Sequence, residues 1–239
     1  MPIIDFHSHV LPGIDDGSKN VQTSLEMLRR SAAQGVEDIV ATPHFYALQD
    51  RIGGFLQRRQ DALEALLPEL TPDMPDIYLG AEVAFFPGIS TAEQVSELVI
   101  QGTNALLLEM PFRPWSQSDV DEVEALMERR GFQIILAHLE RYFSIRGNKR
   151  YITQLLELPV TVQINAESLL DWRQRGKILK LFRSQQAQLL GSDCHGIHHR
   201  EPNLGRGREV LRKKLGQEAL DRIDQAGAQL LLKGVSHVL

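Results

Sequence analysis

The sequence predicts an α/β fold in which parallel strands and alternating helices curl into a closed or nearly closed, TIM-like (β/α)7 barrel. Short β-branched or aliphatic runs alternate with amphipathic stretches along the whole chain, and seven such pairs can be traced. Strands that alternate with helices build parallel βαβ units. In addition, histidine, aspartate and glutamate recur at the C-terminal ends of the runs. That is the face on which parallel βα barrels assemble their sites.

The first strand spans Ile3–His7 and the first helix Ser24–Ala33, with Asn20 or Thr23 as its cap and Gly35 at its end. Asp38–Thr42 is the second strand and Leu56–Leu67 the second helix. Pro72 and Pro75 mark a loop before the third strand, Ile77–Val83, which the helix Thr91–Ile100 follows. Ala105–Met110 and Val120–Arg129 form the fourth pair, and Gln133–Ala137 and Lys149–Leu156 the fifth. Val160–Ile164 with Lys177–Ser184, then Gln188–Gly191 with Gly205–Lys214, complete the series. No low-complexity linker or compositional shift interrupts it, so residues 1–239 read as one domain.

Composition narrows the function. At 239 residues, 43% hydrophobic and 24% charged, the chain suits a soluble domain with a sizeable core. A formal charge of −5 argues against general nucleic-acid binding, which needs a basic surface. The lone cysteine excludes an internal disulfide and fits a reducing compartment. The start, MPIIDFHSHV, is too short and polar for a signal-peptide core, and no apolar run is long enough to span a bilayer. The expected address is the cytoplasm, without membrane insertion.

The reactive residues fall in register with the strands. His7 and His9 end the first, His44 follows the second, Glu82 ends the third and Glu109 the fourth. His138 ends the fifth, and Asp193 and His195 follow the last. Residues i and i+2 of an extended chain point to one side. His7 can therefore pair with His9, and Asp193 with His195, while Ser8 and Cys194 face away. Alone, His44 or His138 is more often a hydrogen-bonded structural group than a ligand. Glu82 and Glu109 are less easily dismissed, because a carboxylate in the apolar runs LGAEVAF and LLLEMPF is costly unless paired or metal-bound. Together these side chains predict a multinuclear site for zinc, manganese or iron. His198 and His199 are expected at its rim, and His237 at the surface.

At DFHSHVLPGIDDG, ATPHF, GAEV, LLLEMPF, AHLERY and SDCHGIHHREPNL, the chain resembles the PHP (polymerase and histidinol phosphatase) superfamily. It is most similar to the bacterial protein-tyrosine phosphatases of capsule and exopolysaccharide gene clusters. The resemblance implies a distorted (β/α)7 barrel of the PHP type. It matches His7, His9, Asp16, His44, Glu82, Glu109, His138, Asp193 and His195 to metal ligands; strand ends alone do not favour Asp16 over Asp15. Arg141 and Arg200 match arginines that hold phosphate. Three divalent ions are implied, manganese first, with iron or zinc as alternatives. A hydroxide bridging them would attack phosphorus in line. The implied partner is an autophosphorylated bacterial tyrosine kinase, for which Phe45–Phe55 and Phe112–Ser118 are candidate rims. Two positions depart from the pattern: Leu139 stands where proline is usual, and Cys194 where alanine is common.

Cys194 and Arg200 also share the spacing of a thiol-phosphatase loop. That reading needs a thiolate of lowered pKa. Asp193 beside it opposes one, and no Ser or Thr follows Arg200, so Cys194 is expected to be a bystander. The rival functions are a histidinol-phosphate type phosphatase, a nucleic-acid phosphoesterase and a non-catalytic metal-binding module.

Overall fold

Each of the seven predicted strands forms, and all pair in parallel. The computed structural model describes residues 1–235; His237 lies outside them. The strand segments are β1 (Ile4–Ser8), β2 (Asp38–Ala41), β3 (His44–Phe45), β4 (Asp76–Leu79), β5 (Glu82–Ala84), β6 (Ala105–Glu109), β7 (Gln133–Leu136), β8 (Thr161–Asn165) and β9 (Leu189–Gly191). Two sheets result, ordered β1-β2-β4 and β3-β5-β6-β7-β8-β9. They are halves of one curled surface: the third predicted strand breaks into β4 and β5, and β3 follows β2 beyond the predicted end at Thr42. Pro43 lacks an N–H and interrupts one ladder. Hydrogen bonds cross the break nonetheless: Gly80 N–H donates to Ala41 O at 2.8 Å and Glu82 N–H to Pro43 O at 3.1 Å. Glu82 therefore opens β5 rather than ending a strand.

The curl closes where β9 meets β1. Asp193 N–H donates to His7 O at 2.7 Å, and His9 N–H to Cys194 O at 3.0 Å. The buried Asp5 carboxylate joins them further, accepting from Ser192 N–H at 2.8 Å and His7 N–H at 3.2 Å. This approach demands glycine at 191, since a Cβ there would stand 2.5 Å from His7 Cβ and 2.7 Å from Gln163 Nε2. Gly191→Ala is expected to cost about 2–3 kcal/mol, the upper range for overpacking a core. Chemical denaturation checks it; an unchanged midpoint would contradict the tight β1–β9 seam.

Helices cover the strands: α1 (Val21–Ala32), α2 (Ile52–Leu66), α3 (Gln117–Arg130), α4 (Asn148–Glu157), α5 (Ala166–Leu170), α6 (Trp172–Arg183), α7 (Leu204–Leu215) and α8 (Gln217–Val235). Asn20 caps α1, its side chain accepting from Thr23 N–H at 2.9 Å. The strands are apolar on both faces, as parallel strands covered on both sides must be. Leu106, Leu108, Ile134 and Leu136 pack in one cluster with Val123 of α3 and Leu155 of α4. Their neighbours Ala105, Leu107 and Ile135 pack with Ile4, Phe6, Leu189 and Leu230 of α8. Thr91–Ile100 is not an α-helix; two 3₁₀ turns, Ile89–Thr91 and Glu93–Leu98, replace it. Three residues per turn place the buried Val95 and Leu98 on one side. None of the described helices is long and apolar enough to cross a membrane.

Candidate metal centre

The strand ends converge. Glu82 lies at the middle, with Oε2 at 3.1 Å from His7 Nε2, 3.3 Å from His9 Nε2 and 3.0 Å from His44 Nδ1. Its Oε1 stands 2.7 Å from His138 Nε2, and Glu109 Oε1 is 3.4 Å from the same nitrogen. Asp193 Oδ1 is 3.5 Å from both His7 and His9 Nε2 and 3.6 Å from His195 Nδ1. Asp16 reaches in from the loop after β1, its carboxylate 3.4 Å from His44 and 3.5 Å from His195. All nine residues matched to ligands thus meet in one place. Donor atoms of seven of them fall into three overlapping sets, each within 4.8 Å: His9 with His44 and His195; His7 with His9, Glu82 and Asp193; and His44 with Glu82 and Glu109. Asp16 and His138 border these sets through His44, His195 and Glu82.

Hydrogen bonds fix two tautomers and show that this donor set calls for a cation. Gln163 Oε1 accepts from His138 backbone N–H at 2.9 Å, so it is the amide oxygen, and the His7 Nδ1 atom 3.1 Å away must donate to it. Asp15 accepts from Gly17 and His44 N–H and takes the His9 Nδ1 proton at 2.7 Å. In the neutral rings, both Nε2 atoms then carry bare lone pairs, 3.2 Å apart and facing Glu82 and Asp193. Such a set is repulsive unless a positive charge sits among it. His195 Nε2 is likewise buried without a hydrogen-bond partner. The residues fit divalent ions, and His7 and His9 have the outer hydrogen bonds that orient metal-binding imidazoles.

Without a cation, protons answer the same need. Burial lowers the pKa of His9, but Asp15 and Glu82 outweigh it and push the group up to about 10. Burial is also overcome at His138, which Glu109 and Glu82 raise to about 9. Burial opposes ionisation of Asp193, yet His7, His9 and Arg141 hold its carboxyl well below the usual range. His195 moves the other way, down to about 4, through burial and the charges of His9 and Arg200. A metal ion binds the unprotonated imidazole and must displace these protons. Metal affinity should therefore rise with pH, by roughly tenfold per unit for each proton displaced, and flatten above about pH 9–10. Calorimetric titration at several pH values checks this; a pH-independent affinity would contradict it.

Arg141 and Arg200 are each about one-third exposed, and both aim at Asp193, Arg141 through Nη2 to Oδ2 at 2.5 Å. Glu140, next to Arg141 in sequence, is buried and accepts from Asn165 N–H and Ser168 Oγ. Cys194 is fully buried among Val10, Leu11, Leu25 and Met27, where burial drives the thiol pKa well up. A buried, protonated thiol is not a nucleophile. His198 and His199 are exposed and belong to none of the three donor sets. Within the candidate rims, Phe45, Phe55 and Trp115 are core residues, while Tyr46, Leu48 and Phe112 are exposed.

Three site residues pay in backbone strain. His138, Asp193 and Arg200 have φ of 31°, 51° and 49°, a region that side chains other than glycine seldom adopt. Leu139, where proline is usual, opens a 3₁₀ turn and is fully buried, so packing anchors the His138 turn. Sequence reasoning missed Gln163 and Asn165 and raised Asp15 only as an alternative to Asp16; all three contact the cluster members rather than joining them. Asn165 Nδ2 donates to Asp193 Oδ2 at 2.7 Å, and Gln163 donates to Asn165 at 2.9 Å. Their i, i+2 spacing on β8, inside an apolar run, is the same signal that His7 and His9 gave at the end of β1.

A family model for capsular polysaccharide synthesis proteins of the CpsB/CapC type matches residues 3–233. Tyrosine-protein phosphatase YwqE of Bacillus subtilis is 29% identical over 97% of this chain and 92% of its own length. Tyrosine-protein phosphatase CpsB of Streptococcus agalactiae is 24% identical over 97% and 98%. A solved structure from work on YwqE of B. subtilis and CpsB of Streptococcus pneumoniae, described as metal-dependent tyrosine phosphatases, superposes with a TM-score of 0.83 at 24% identity, covering 96% of this chain and 94% of that one. A β-aspartyl dipeptidase from Fervidobacterium islandicum shares the fold more loosely, at a TM-score of 0.53 and 11% identity, over 95% of this chain and 74% of that one. With nearly its whole length matched, the chain belongs to the CpsB/CapC family of capsular polysaccharide synthesis proteins.

Proposed function

We propose that the chain is a metal-dependent phosphatase that hydrolyses phosphotyrosine in proteins, with residues 1–239 acting as one domain. The observation that carries this reading is the convergence of nine metal-competent side chains beside two arginines. His7, His9, Asp16, His44, Glu82, Glu109, His138, Asp193 and His195 would hold the ions. Three donor sets support three ions, and a mixture of imidazole and carboxylate suits manganese, with iron or zinc as alternatives. When bound, divalent ions supply Lewis acidity and an activated water for attack at phosphorus.

The protein's own groups do the rest. Arg141 and Arg200 present planar donor forks to a phosphate dianion and stabilise charge on its equatorial oxygens. Asn165 donates to the same Asp193 oxygen as Arg141, so the carboxylate keeps a hydrogen bond when a guanidinium turns to substrate. The tyrosine phenolate, of pKa about 10, leaves more readily than an alkoxide. The names of the relatives support phosphotyrosine as substrate and capsule synthesis as setting. The partner would be an autophosphorylated bacterial tyrosine kinase, and the lone buried cysteine suits the cytoplasm. Turnover of a phosphotyrosine peptide against histidinol phosphate tests the reading. The peptide should be the better substrate; preference for histidinol phosphate would favour a small-molecule phosphatase, and bound metal without turnover a binding module.

A further inference from the structure

We propose that the cavity between Phe112 and Arg141 receives the aryl group of the substrate, and that Phe112 is the stacking platform that favours aromatic over aliphatic phosphate monoesters. This rests on the phosphatase reading above and names the residue that gives it selectivity. Phe112 follows the β6 end that carries Glu109, and its ring is 57% exposed. A large apolar ring left open beside a polar site calls for an apolar partner. One face is backed by Tyr142, with ring centroids 5.0 Å apart at 28°, and by His138 at 6.0 Å and 25°. Tyr142 is itself fully buried and donates its hydroxyl to Met110 O at 2.7 Å, so the backing is rigid.

The cavity that Phe112 lines measures about 580 Å³ and shares a wall with the metal centre. Arg141 and Asn165 form that wall, and both hydrogen-bond Asp193 Oδ2. Glu167, Asp171 and Lys177 contribute to the remaining lining. A phosphate held by Arg141 would therefore set its ester substituent next to Phe112. Tyr46 is the competing platform, stacked on His44 at 5.3 Å and 27°. Its cavity is lined by Asp15, Asp16 and Asp50, and its one arginine, Arg58, is paired with Asp50. Each cavity carries three carboxylates, but the Phe112 side opposes Glu140, Glu167 and Asp171 with both Arg141 and Lys177. Arg141 is one of the two arginines assigned to phosphate, which favours the Phe112 side.

Offset or edge stacking between aromatic rings is worth about 0.5–1.5 kcal/mol beyond area, or up to about tenfold in binding. The test compares kcat/KM for phenyl phosphate with that for an aliphatic monoester, in wild type, Phe112→Ala, Phe112→Tyr and Tyr46→Ala. Competition by phenylphosphonate and methylphosphonate gives a readout independent of turnover. In Phe112→Ala the aryl-to-alkyl ratio should fall by about 5- to 10-fold, with phenylphosphonate losing its advantage to the same extent. Phe112→Tyr should keep both. An unchanged ratio in an active Phe112→Ala, or a fall confined to Tyr46→Ala, would overturn the inference and leave the phosphatase reading intact. A wild type that turns over neither ester would reject that reading instead.

Discussion

Glu82→Gln is expected to lower kcat/KM by about 10³-fold or more and to strip metal from the protein. Its carboxylate touches His7, His9, His44 and His138, and it enters two of the three donor sets. Removing one oriented group from a water-poor site commonly costs 10²- to 10³-fold, and a carboxylate shared between sets removes support from more than one position. The amide also brings N–H donors among nitrogens whose lone pairs must face the ions. Elemental analysis and kinetics on the same preparation measure both effects. A variant that keeps full metal and near wild-type rates would contradict the central place given to Glu82.

Arg141→Ala and Arg200→Ala should behave differently. Each is expected to lose about 10²- to 10³-fold in kcat/KM while retaining most of its metal. The guanidinium groups face Asp193 from the outside, about one-third exposed, and neither supplies a ligand atom. Lysine should rescue poorly, because an ammonium cannot present two parallel donors to one phosphate. The two losses should not add fully, since both residues act on one carboxylate and one ligand. Metal loss in parallel with rate would instead mark the arginines as supports of Asp193.

The seven-unit alternation was legible because parallel strands buried on both faces read as continuous apolar runs, and the chain carries few other long runs. The site was legible for the same reason. A histidine or glutamate that ends such a run has few bland explanations, and six strand ends carry one. Breaks within strands were not legible: the register across Pro43 and Gly80 depends on hydrogen bonds from neighbouring strands, not on local propensity. The 3₁₀ form of Glu93–Leu98 shares its i, i+3 apolar spacing with an α-helix. Helices α5 and α8 were not foreseen, and α8 is set by packing of Leu230 and Leu231 against Ile4 and Phe6. Asp15 and Asp16 are adjacent in sequence and opposite in role. The first is buried against His9, which helps draw its pKa down to about 2 against the burial penalty; the second is 69% exposed and turned toward His44 and His195. Only tertiary contacts separate them. Gly17 next to them is required by a close approach, as a Cβ there would stand 2.4 Å from His9 Cβ.

Hydrolysis of a phosphotyrosine peptide, measured in parallel for wild type, Cys194→Ser and a chelator-stripped sample with manganese added back, tests the central claim most directly. Chelation is expected to abolish turnover and manganese to restore it, and Cys194→Ser to stay active, because its thiol is buried and protonated. Activity that survives chelation and disappears in Cys194→Ser would contradict the account and make the segment from Cys194 to Arg200 a thiol loop.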